Sequence, residues 1–207
     1  MNITFQGANS NIYTFVHVPK CAGKSITAYL MKYASHNWTI HKKSHATMQE
    51  LVDTGANLGF TFTVVRNPYT RAVSMYKYLF EDDIKKILEP TIPYFHHKPD
   101  LSWHRQLREE YPKISFRKFV SKLPYMPMGQ LQSDFLPVDK ILRFETLLND
   151  FKFIQDALNT SSIPLMKINN TNTKHWKEYY THDTADIVYE KYAKDFEVLN
   201  YSKDINN

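Results

Sequence analysis

Residues 13–18, Tyr-Thr-Phe-Val-His-Val, form a β-branched and aromatic run that stops at Pro19, crosses Lys20, Cys21, Ala22 and Gly23, and resumes from Lys24 in a helical pattern. Proline has no N–H to give to a ladder, so a strand ends there, and the chain must leave the sheet through a tight loop into a helix. The first N–H groups of that helix have no intrahelical acceptors and its macrodipole is positive, which makes the loop a cradle for a phosphate or sulfate. Lys20 and Ser25 are placed to complete the shell, and a glycine at position 23 lets backbone come close to a ligand.

The same strand-then-helix alternation continues along the chain. Strands are predicted at 13–18, 38–41, 60–65 and 139–144, and helices at 24–35, 46–54, 69–81, 101–110, 115–122, 146–159 and 184–198. The runs at 13–18 and 60–65 carry little polar content, as strands covered on two faces do, so the fold expected is α/β with a central parallel β-sheet flanked by helices. Asn67 and Pro68 supply a cap and a first helical residue for the helix after the third strand. At 207 residues the chain is sized for one domain, 1–207. Seven prolines between Pro90 and Pro137 loosen the pattern over 82–137, which reads as an insertion shaping a substrate cleft. A polar loop, Asn169 to Lys174, precedes the last helix.

Charge and cysteine content narrow the function. A net charge of +5 suits anionic ligands but is too diffuse to argue for nucleic acid. The single cysteine, Cys21, excludes an intrachain disulfide and fits a reducing compartment. No apolar stretch is long enough to span a membrane, and the first strand begins too early for a signal peptide, so a soluble, cytoplasmic protein is expected. The Asn-x-Ser/Thr triplets, Asn2 among them, are what an Asn-rich chain produces by chance.

Gly23-Lys24-Ser25 resembles the end of a Walker A loop, but that motif requires glycine at position 18, where Val18 stands. A second anion site follows at Phe62-Thr-Val-Val-Arg66-Asn-Pro-Tyr-Thr-Arg71-Ala-Val-Ser74, where a buried strand ends in an arginine and a helix brings Arg71 and Ser74. Two anion sites at strand ends of one sheet suit a nucleotide phosphorylated at both its 5′ and 3′ positions.

Together, Val-Pro-Lys20-Cys-Ala-Gly23-Lys-Ser25 and Val-Arg66-Asn-Pro-x-x-Arg71-x-Val-Ser74-x-Tyr76 resemble the signature of sulfotransferases that use 3′-phosphoadenosine 5′-phosphosulfate. The likeness is to the carbohydrate (heparan-sulfate 2-O-like) and small bacterial branches, and it continues through Arg143-Phe-Glu145-Thr-Leu, Glu178-Tyr-Tyr180-Thr and Tyr192-x-x-Asp195-Phe. It implies a P-loop NTPase-like three-layer fold and transfer of a sulfuryl group to a hydroxyl, with adenosine 3′,5′-bisphosphate as product and a glycan as the expected acceptor. Lys20, Gly23, Lys24, Ser25 and Ile26, with Cys21 and Ala22 between them, match the 5′-phosphosulfate loop. Arg66 and Ser74 match the 3′-phosphate site. Lys24 departs from the usual threonine or serine, so its backbone N–H is the expected contact.

In-line attack requires a base for the acceptor hydroxyl, and Lys20 would meet the charge that builds on the leaving phosphate. His45, in His41-Lys-Lys-Ser-His45, lies between the two motifs at a helix start and resembles the position of the catalytic histidine in the 2-O-like branch; His41 and Glu50 are alternatives. The His41-x-x-x-His45 spacing lacks the glutamate of a His-Glu-x-x-His motif and a third ligand, so no metal is expected. Trp176, Tyr179 and Tyr180 could stack on adenine or a sugar, or belong to the core. Two rival functions use the same residues: a P-loop small-molecule kinase, and a non-catalytic nucleotide- or glycan-binding module.

Overall fold

The structure, a computed structural model, describes residues 1–34, 37–82, 102–161, 163–165 and 175–206. The pairs Lys85-Lys86 and His96-His97, the prolines at 90, 93 and 99, and the loop from Asn169 to Lys174 lie outside the described residues. The chain divides into two compact units, 1–67 with 131–170, and 68–130 with 171–207.

The first unit holds a five-stranded sheet: β1 (Ile3–Gln6), β2 (Ile12–Val16), β3 (Trp38–Ile40), β4 (Phe60–Val65) and β5 (Lys140–Arg143), in the order β3-β1-β2-β4-β5. β2 pairs with β4, and β4 with β5, in parallel; β1 pairs with both β2 and β3 antiparallel. The expected all-parallel sheet is thereby corrected to a mixed one. The cause is local: Gly7 to Asn11 turns the chain back within five residues, with Gly7 N–H donating to Asn11 O at 2.9 Å, and a connection that short can only make an antiparallel pair.

Register sets the two faces of this sheet. Tyr13 lies opposite Phe60 and Phe15 opposite Phe62, so aromatic rings gather on one face, with Phe15–Phe62 centroids 5.3 Å apart and Phe5–Tyr13 5.4 Å. Phe153, on a short helix Lys152–Ala157, meets Phe62 edge-on at 5.7 Å. The other face carries Thr4, Thr14, Thr61 and Thr63. Their hydroxyls are spent inside the sheet: Thr14 donates to Leu58 O and Thr63 to Val16 O, both at 2.6 Å. Thr61 gives its N–H and hydroxyl to Asp139, which holds that carboxyl below the usual carboxylate range. In this unit α1 (Gly23–Tyr33) follows β2 and α2 (Met48–Val52) follows β3. α2 starts at a Thr47–Glu50 capping box, and α1 packs Tyr29 edge-on against Phe151 at 5.0 Å.

The second unit contains no strand among its described residues. α3 (Pro68–Tyr76) ends in a π-turn, Lys77–Glu81, where the sequence predicts one helix through 81. Asp82 N–H reaches back to Lys77 O, and Arg108 donates to the carbonyls of Leu79 and Asp82 at 2.7 and 2.8 Å, so the widened turn is fully used. Arg108 lies on α4 (Ser102–Glu110), followed by α5 (Phe116–Ser121) and, at the C-terminus, α8 (His182–Lys191) and α9 (Ala193–Val198), where α6 (Leu147–Asp150) and α7 (Lys152–Ala157) belong to the first unit. Tyr180 stands edge-on to Phe116 and Tyr69, and its hydroxyl donates to Tyr69 O at 2.9 Å, so burial drives its pKa far up. Tyr179 likewise packs on Phe116 and Tyr76 while donating to Glu81 at 2.6 Å. Both tyrosines pack against the aromatic cluster of the helical unit while staying partly exposed. Among the described residues no helix is long and apolar enough to cross a membrane.

Candidate functional site

The parallel strands β2, β4 and β5 end at one edge of the sheet, and the loops leaving that edge, 17–22, 66–67 and 144–146, carry Lys20, Cys21, Ala22, Arg66 and Glu145. This is where α/β sheets bind ligands. The loop from β2 is built unusually. Lys20 and Ala22 have φ of 67° and 58°, left-handed conformations that cost a non-glycine residue on the order of 1 kcal/mol or more each. Ala22 is the N-cap of α1 and makes no side-chain cap hydrogen bond. The first turn closes when Ile26 N–H reaches Ala22 O at 3.2 Å, so the N–H groups of Gly23, Lys24 and Ser25 precede the intrahelical ladder. Ile26, itself fully buried, has its N–H committed to that bond.

Gly23 has a second reason beside the ligand approach expected of it. A β-carbon built there would coincide with the imidazole of His17, whose Nε2 edge occupies that space. His17 is thus a residue the motif reading missed. Its ring stacks on Phe15 at 5.5 Å and faces His45 with centroids 4.5 Å apart. Burial first, and then the neighbouring His45 and Lys20, push its pKa well below 6.5.

Arg66, at the end of β4, is fixed through both backbone and side chain. Its N–H donates to Gln132 Oε1 and its carbonyl accepts from Gln132 Nε2, each at 2.8 Å. The same Oε1 accepts the thiol of Cys21 at 3.4 Å, and Gln132 is fully buried. One carboxamide therefore ties the loop after β2 to the loop after β4. The Arg66 guanidinium lies over the Phe144 ring, 4.1 Å from its centroid, and Nη1 donates to Lys20 O at 3.4 Å. Glu145 accepts Asn67 N–H at 2.8 Å. Gln132 has no sequence signal of its own, since it acts through a partner distant in the chain; Phe144 lies within the Arg143-Phe-Glu145 stretch of the resemblance, but its stacking on Arg66 is not legible there. Cys21 is fully buried and also donates to Pro19 O at 3.6 Å, so its thiol serves the loop's shape.

His45 precedes the Thr47 cap of α2 and points Nδ1 at the carbonyl of His17, 3.1 Å away. A carbonyl only accepts, so Nδ1 carries the proton and Nε2 carries the lone pair. The alternatives are otherwise engaged. Glu50 pairs with Lys43 and caps Thr47 N–H, interactions that lower its pKa and weaken it as a base. His41 Nε2 bonds the Thr4 hydroxyl at 2.8 Å.

In the helical unit, Ser74 and Thr70 are the two positions of α3 that are not buried, four residues apart and so on one face. Arg71 belongs to the core of that unit: it is 1% exposed and donates to Met128 O and Gln130 O at 3.0 and 2.9 Å, beside Tyr192, whose hydroxyl donates to Gly129 O. A cleft of about 420 Å³ in the first unit is lined by β5 and residues 146–153 and includes no residue of the 17–25 loop. Among the described residues no group of three or more His, Cys, Asp or Glu side chains is placed to hold a metal ion.

Comparison with curated proteins and with solved structures returned no match. A family model described as "Sulfotransferase family" matches residues 8–202, which includes the strand–loop–helix, the Arg66 turn and both C-terminal helices. The chain belongs to the sulfotransferase family.

Proposed function

We propose that this chain moves the sulfuryl group of 3′-phosphoadenosine 5′-phosphosulfate to a hydroxyl of a carbohydrate acceptor by in-line attack. The observation that carries the reading is the coupling of two loops at adjacent parallel strand ends, Lys20 with the start of α1 and Arg66 over Phe144, through Gln132. The residues suit the donor: an N-terminus without a side-chain cap offers N–H groups to a phosphosulfate, with Lys20, Ser25 and the backbone from Cys21 to Ile26 around it. Arg66 takes the 3′-phosphate, the role that the resemblance also gives Ser74. As the sulfur–oxygen bond to phosphate breaks, Lys20 and the loop N–H groups stabilise charge that is greater in the transition state than in the ground state. His45 Nε2 accepts the proton that the acceptor hydroxyl loses. A cytoplasmic setting is proposed on the single cysteine.

The test is calorimetric titration of adenosine 3′,5′-bisphosphate with sulfate transfer measured on a panel of glycans, phenols and peptides. Lys20→Ala and Arg66→Ala should each weaken binding about 10-fold or more, the size of a lost charge-assisted hydrogen bond. His45→Ala should leave binding intact and lower turnover. Stabilisation by ATP with magnesium and none by the bisphosphate would overturn the reading in favour of a kinase.

A further inference from the structure

Behind His45 lies a set of contacts that the proposed chemistry does not use. β1 brings the fully buried Asn2 to the loop, where Oδ1 accepts His17 N–H at 2.8 Å and Nδ2 donates to Ala46 O at 2.9 Å. One carboxamide thus spans the backbone at His17 and the backbone beside His45. Burial also bars Asn2 from serving as a glycosylation acceptor. The His17 ring is confined by Phe15 on one side, His45 on another, the space over Gly23, and the Met1 nitrogen at Nδ1.

We propose that Asn2 and His17 form a brace that positions His45, aiming its Nδ1–H at the His17 carbonyl so that Nε2 remains the proton acceptor. The need for one is chemical. Neutral imidazole in water favours the Nε2–H tautomer, which would present a proton where a base must present a lone pair, and the partner of the other nitrogen decides between the two. His17 stays uncharged beside His45, held so by burial. Asn2 fixes the separation of the two backbones, and the His17 ring is the wall against which the His45 ring turns. This inference rests on His45 as the base, and its test is chosen to be separable from that assignment.

The experiment is ¹⁵N-histidine NMR of the full chain, with the His45 signal identified by its loss in His45→Ala. Wild type is expected as the Nδ1–H tautomer, His17→Ala as predominantly Nε2–H, and His17→Phe, which keeps a flat ring, as wild type. In kinetics, His17→Ala should lower kcat about 10-fold, with bisphosphate affinity changed less than about twofold, and should add nothing in a His45→Ala background. An unchanged tautomer in His17→Ala, equal losses of binding and turnover, or effects that multiply with His45→Ala would each overturn the brace. Full turnover in His45→Ala would instead remove the base assignment while the tautomer measurement still decides the brace. Should His17→Ala fail to fold, Asn2→Asp keeps the acceptor for His17 N–H, loses the donor to Ala46 O, and is expected to give the same tautomer shift.

Discussion

Replacing Gln132 by methionine keeps the length and approximate volume of the side chain and removes every hydrogen bond it makes. Arg66 then loses the partners of both its N–H and its carbonyl, and Cys21 loses a thiol acceptor. A buried polar group left unpaired costs about 1–3 kcal/mol, so the two backbone groups together predict a loss of about 2–6 kcal/mol; the thiol bond is weak and adds little. Against a typical domain stability of about 5–15 kcal/mol that is a large fraction. Urea denaturation followed by tryptophan fluorescence measures it, with the midpoint falling at constant slope. Because the same amide joins the loops of Lys20 and Arg66, bisphosphate affinity should fall in the variant under conditions where it is still folded. A stability loss below about 1 kcal/mol, or full stability loss with unaltered affinity, would refute the view that this carboxamide couples the two loops.

Two further outcomes follow from buried groups in the same loop. His17 is held well below 6.5 when folded but titrates near 6.5 unfolded, so below that pH the unfolded chain binds a proton the folded chain does not. Stability should therefore fall with decreasing pH from about 6.5, by up to about 1.4 kcal/mol per pH unit, and His17→Phe should remove that slope; His41, lowered by burial, adds a slope of the same sign that the variant keeps. Equal pH dependence in the two proteins would disprove it. Cys21, enclosed and donating to Pro19 O and Gln132, should react with a disulfide reagent at least about 100-fold more slowly in native than in unfolded protein, and comparable rates would contradict the assigned role.

What the sequence could tell follows the reach of its signals. β4 was legible to the residue, because Phe60–Val65 is an unbroken run of aromatic and β-branched residues bounded by Gly59 and Arg66. β1 went unread, although Ile3 and Phe5 alternate with Thr4 and Gln6, since a four-residue strand is defined by its partners more than by its pattern. The helix expected over 146–159 is instead a 3-10 turn, α6 and α7 in succession, and the one expected over 184–198 starts at Thr181 and breaks at Tyr192. Lys20, Arg66 and His45 could be named from type and spacing. Gln132, Asn2 and His17 could not, because their importance lies in contacts 66, 44 and 28 positions away.

The imidazole over Gly23 has an evolutionary corollary. Positions 17 and 23 compete for a single volume, so neither is free to vary alone: a β-carbon at 23 requires something smaller than histidine at 17, and a shrunken residue at 17 leaves a void that a side chain at 23 can enter. Across relatives the two positions should covary, glycine travelling with the bulky ring. In this chain the glycine at 23 would then be a record of what stands behind the loop, and its loss elsewhere a sign of a rebuilt wall beside His45.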